Sequence, residues 1–140
     1  MPRLLAVILL IGSLAVAVVA CGESDADKAK DNACNAVDDI NAQVTELQGL
    51  TLETATKDQI DENVNAIKDD LQKIKDALPD LESSLKSQLT SATQTFEDQV
   101  SKLASDVGQS VSLQDAAKQI NADKQQLKSS YDAAFASVSC

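Results

Sequence analysis

The side chains able to do chemistry here are few in kind. There are three cysteines, Cys21, Cys34 and Cys140, and 22 acidic residues against 12 basic ones, with no histidine. Without His, neither a Ser-His-Asp nor a Cys-His relay can be built. The Glu-x-x-His motif of di-iron bundles is excluded for the same reason. Cys34 and Cys140 cannot make a four-ligand zinc site, and no CxxC occurs. Four widely spaced glycines do not make a phosphate-binding loop. The residues thus name no catalytic, cofactor-binding or metal-binding set, and the chain reads as a non-enzyme.

Carboxylates alone can bind cations, and adjacent pairs occur at Asp38-Asp39, Asp61-Glu62, Asp69-Asp70 and Glu97-Asp98. Neighbours on a helix point in different directions, so adjacency does not make a chelating pair. The Ca²⁺-loop pattern with its required Gly is missing. Asp69–Lys73, Glu82–Lys86 and Asp98–Lys102 fit solvated i,i+4 pairs instead. A solvated acidic face is the better reading.

Before Cys21 the chain has a different character. Arg3 is its only charge; Leu4 to Leu10 is unbroken apolar sequence, and Ile11 to Ala20 adds only Gly12 and Ser13. This is the charged start and apolar middle of an export signal over residues 1–20, which belongs to targeting rather than to the fold. An uncleaved membrane helix is the competing reading, but the stretch is shorter than the ~20 apolar residues a span needs. The run ends in Val18-Val19-Ala20-Cys21-Gly22. That ending resembles the lipobox of bacterial lipoproteins, with Val18 in place of the commoner Leu.

The resemblance covers residues 1–22 only. It implies a diacylglyceryl group on the Cys21 sulfur, with palmitate-type acyl chains, and cleavage between Ala20 and Cys21. Two chains on one residue meet the requirement for stable anchoring that a single chain does not. The expected location is the cell envelope, on the extracytoplasmic side of a bacterial membrane. Residues 21–25 would form the lipidated N-terminus and a short tether, and 26–140 a single helical domain.

Removing residues 1–20 takes away one basic residue and no acid, so the net charge moves from −10 to −11. A chain of this size can bury one modest core. Its acidity excludes nucleic acid as a partner, because phosphate contacts need Lys/Arg patches, and the lysines are scattered. Anionic headgroups should repel the acidic body, so the partner in the membrane is reached through the anchor at Cys21. With Cys21 occupied by lipid, Cys34 and Cys140 remain. Export places them where disulfides persist, and only one intramolecular pairing exists. A Cys34–Cys140 bond would close a loop of over a hundred residues, worth ~4–5 kcal/mol in the chain-entropy model.

The elements that must position these residues are helices. Apolar residues recur every three or four positions, and nothing alternates with period two for long. A first segment starts near Ser24, with Asp27 completing a capping box, and carries Ala29, Ala33, Val37, Ile40, Val44 and Leu47 on one face. Gly49 is a natural stop, and residues 50–55 read as loop. Thr56 and Gln59 give a second capping box ahead of Ile60, Val64, Ile67, Leu71, Ile74 and Leu78, a heptad seam. Beyond Pro79 the stripe continues through Leu81, Leu85, Leu89, Ala92, Phe96, Val100, Leu103 and Val107, up to Gly108. Ser112 with Asp115 opens a last segment with Leu113, Ala117, Ile120, Leu127, Tyr131, Ala134 and Val138. Lys124 falls on that stripe and is expected to snorkel to a bundle edge.

The fold expected is all-α: an antiparallel, coiled-coil-like bundle of four helical segments. Pro79 leaves an alternative open, since a kink there would instead give an elongated pair of helical hairpins. A lipobox followed by apolar heptads also resembles the small coiled-coil lipoproteins joined to murein in outer membranes. Those attach through a terminal Lys, where this sequence has Ser139-Cys140, so that linkage is not implied.

Two functions fit. A lipid-tethered acidic bundle can act as a structural or protein-interaction module toward an envelope protein. Alternatively, space between the helices can carry a small apolar ligand or lipid. A packed core favours the first and an apolar cavity of a few hundred Å³ the second.

Overall fold

The structure, a computed structural model, describes residues 24–140. The expectations for residues 1–20 and for Cys21 lie outside these.

Four α-helices follow one another: α1 (Asp25–Gly49), α2 (Lys57–Ala77), α3 (Ser83–Gln109) and α4 (Ala117–Phe135). Both capping boxes form. Ser24 Oγ accepts the Asp27 amide while the Asp27 carboxylate accepts the Ser24 amide, and Thr56 and Gln59 do the same for α2. The helix therefore starts at Asp25, inside the stretch expected to be tether. The last helix starts later than the sequence suggests. Ser112 Oγ accepts from the Asp115 amide at 3.1 Å, but this box closes a turn, and α4 proper begins at Ala117.

Gly49 and Gly108 lie in the last turns of α1 and α3 without supplying a left-handed cap. The chain leaves through extended residues, Leu50 and Ser110, and no described residue has positive φ. The helices end at or beside these glycines, as expected of them, because glycine weakens a helix locally and not through a left-handed cap.

At Pro79 the chain reverses. Leu78–Asp80 form one 3₁₀ turn with Pro79 near its start, Leu81 is extended, and α3 runs back along α2. Proline's missing N–H costs nothing at a helix start, which is why it sits there. Two contacts hold α2 to the α3 side of the bundle. Lys75 Nζ bonds both Glu97 carboxylate oxygens at 2.8 Å, and Lys57 Nζ donates to the Ser110 carbonyl at 2.5 Å.

Helix α1 packs on α2, α2 on α3, α3 on α4, and α4 back on α1, so the four close into an up-down-up-down bundle. The stripes converge in its interior. Ile40, Val44, Leu47, Ile60, Ile67, Ile74, Leu89, Phe96, Val100, Leu103, Ile120 and Leu127 are all fully buried. Leu52, in the stretch read as loop, is also buried and closes the core at the loop end. Leu78 and Val138, at the ends of their stripes, sit only half-buried against it, as does Leu85.

Candidate functional site

The two ends of the bundle differ in chemistry. At one end lie the start of α1, the α2–α3 reversal and the end of α4. There Cys34 and Cys140 form a disulfide, with a Cα–Cα distance of 5.6 Å. Cys34 sits beside the buried Ala33 at the edge of the inward face of α1. The bridge thus ties the five residues beyond α4 back onto α1.

Next to it the three aromatics meet. The Phe96 ring stands edge-on to Tyr131 and Phe135, at 5.7 and 5.8 Å between centroids. All three are buried in the core, and Tyr131 and Phe135 also border a shallow surface cleft with Val37, Asp38, Asp132 and Val138. The Tyr131 hydroxyl donates to the Val37 carbonyl at 3.0 Å. Burial, reinforced by the charges of Asp38 and Asp132, pushes its pKa up to about 12.

On the outside of this end a groove of about 610 Å³ runs between α1 and α2. Its floor is Ala29, Ala36 and Ala77, where small side chains let the two helices approach. Its rim carries Asp25, Asp39, Asp76 and Asp80 against Lys28 and Lys73. The acidic face expected from the sequence is here a concave surface. Across the described residues the ion pairs are not the expected ones: Asp69–Lys73, Glu82–Lys86 and Asp98–Lys102 do not form. Lys73 bonds Asp70 at 2.6 Å rather than Asp69, and Lys102 bonds Asp106 at 2.9 Å and also Asp123.

Asp70 and Asp123 were not anticipated as buried; each is 5% exposed. The Asp70 carboxylate holds the Lys73 ammonium above the usual lysine range. The Asp123 and Asp106 carboxylates do the same for Lys102, and Lys102 in turn lowers Asp106. Asp123 also accepts from Gln119 Nε2 at 3.1 Å. The one signal in the sequence was position: Asp70 precedes the stripe residue Leu71, and Asp123 the stripe position 124.

The opposite end is formed by the 50–56 and 110–116 connections. Here Lys124 does not snorkel outward as expected. It is 3% exposed, and its ammonium donates to the Leu50 carbonyl at 2.6 Å, satisfying an oxygen just past the end of α1. Gln48 Nε2 donates to the Lys124 carbonyl at 2.5 Å, locking α1 to α4. Burial lowers the Lys124 pKa. Beside it lies a cleft of about 550 Å³ with Leu50, Leu52, Gln114, Ala117 and Asn121 in its wall.

Among the described residues no group of three or more Cys, Asp or Glu converges as a metal site, and no helix is long and apolar enough to cross a membrane. No family model, curated protein or solved structure matches the chain.

Proposed function

We propose that this chain is a lipid-anchored envelope protein, exported by residues 1–20 and held through Cys21, whose helical bundle acts as a structural or protein-interaction module. The observation that carries this reading is the short distance in sequence between the anchor residue and a rigid bundle. Cys21 precedes the α1 cap Ser24 by three residues, which span at most ~10 Å of chain. The disulfide end and the acidic groove then stand next to the membrane, and α1, 25 residues long, lifts the other end ~37 Å away. Anionic headgroups repel the Asp25, Asp39, Asp76 and Asp80 rim, which keeps the bundle off the surface. The Cys34–Cys140 bridge fits an oxidising compartment.

The interior supports a module over a carrier between the helices. Its side chains are fully buried against each other, and the clefts run over the surface with charged residues in their walls.

The test is Cys21→Ala in the native host with a fatty-acid label. The variant should accumulate as unprocessed precursor without label. Normal cleavage and membrane retention would refute the anchor. For the module, site-specific photo-crosslinking from exposed Asp39 in intact envelopes should give a discrete protein adduct that is lost when the crosslinker is moved to a face remote from the groove.

A further inference from the structure

Three charged residues are buried among the described ones: Asp70, Asp123 and Lys124. The first two have ionic partners, Lys73 and Lys102. Lys124 has none among the described residues; its ammonium donates to the neutral Leu50 carbonyl, although it carries three N–H donors. A desolvated cation without a counter-charge is costly, and buried charges are as a rule paired. Lys124 pays that cost at the wall of the open cleft between the 50–56 connection and α4.

The rest of the cleft wall has a consistent chemistry. Leu50 and Ala117, with the edge of the buried Leu52, offer an apolar strip in a wall that also carries Gln48, Thr51 and Gln114. Asn121, one turn before Lys124 on the same helix, adds an amide able to donate a further hydrogen bond. Glu53 on the rim and the acidity of the chain oppose multiply charged anions. The volume is that of a small-molecule site.

We infer that this cleft binds a small monocarboxylate with a short alkyl chain, its carboxylate on the Lys124 ammonium and its chain against Leu50, Leu52 and Ala117. The ligand supplies the counter-charge the fold leaves out. One negative charge meets one buried cation, and the apolar strip of Leu50 and Ala117 has room for a chain of a few carbons. The site sits at the end of the bundle, outside the packed interior, and does not depend on how the protein is anchored.

The experiment is equilibrium binding of radiolabelled hexanoate to the full chain in nanodiscs, counted over empty nanodiscs. Saturable binding is expected, competed by unlabelled hexanoate and not by hexylamine or hexanol. Lys124→Met keeps the unbranched stem up to the ε position without the charged ammonium and should weaken binding about tenfold or more. Ala117→Leu leaves Lys124 in place but fills the cleft, and should weaken it too, so the result stands even where Lys124→Met perturbs folding. Absence of saturable binding to the wild type would overturn the inference. So would undiminished binding by a folded Lys124→Met, or hexanol competing as well as hexanoate.

Discussion

The Tyr131 hydroxyl reaches across to α1 and donates to the Val37 carbonyl oxygen, 94 residues away in sequence. This contact joins the first and last helices at the level of the Cys34–Cys140 bridge, with the Phe96 ring behind it. The disulfide end is therefore held covalently, by a buried hydrogen bond and by aromatic packing together.

Tyr131→Phe keeps the ring and removes the hydrogen bond, and should cost ~0.5–1.5 kcal/mol. It should also change the alkaline limb of stability. The folded-state pKa of about 12 lies above the ordinary 10.0. Stability from the neutral phenol is thus complete below pH 10 and is lost as pH rises through 12. Urea melts of wild type and variant across pH 9–12 check this. The wild type should lose more stability than the Phe variant over that window, and parallel curves would refute the assignment.

Cys34→Ser with Cys140→Ser should leave the helical circular dichroism of the folded protein unchanged while lowering its thermal midpoint. Closing a loop with a sequence separation of 106 restricts the unfolded chain by ~4–5 kcal/mol in the entropy model. An equal midpoint with and without reductant in the wild type would show that the bridge is not a staple.

Phe96→Ala should be among the most damaging single changes in the core. The ring is fully buried and packs edge-on against two others, so its loss leaves a cavity that Tyr131 and Phe135 cannot fill. A destabilisation of ~3–5 kcal/mol is expected from denaturant unfolding. A cost near zero would mean the aromatic cluster repacks freely.

Much of the fold was legible because helix formation and burial are local, periodic properties. Ser24 with Asp27 and Thr56 with Gln59 mark helix starts because both partners lie within one turn, so no distant contact is needed. Ala33, Ile40, Leu47, Ile60, Ile67 and Ile74 fall on inward faces because the 3.6-residue period alone puts them together. The export signal and lipid anchor we propose for residues 1–21 rest on the order of residues alone and lie outside the described residues.

What only the tertiary structure decided depends on which surfaces meet. Pro79 is compatible with a kink or a reversal, since it restricts its neighbours without choosing a direction. The reversal follows from burying the α2 and α3 stripes against α1 and α4. Lys73 and Lys102 choose Asp70 and Asp123 because burial removes those carboxylates from water, which i,i+4 spacing cannot report. Lys124 could be placed on a stripe from its spacing, but not inside a wall facing Leu50. Residues 74 apart in sequence are brought together by packing alone, and that proximity is what creates the cleft.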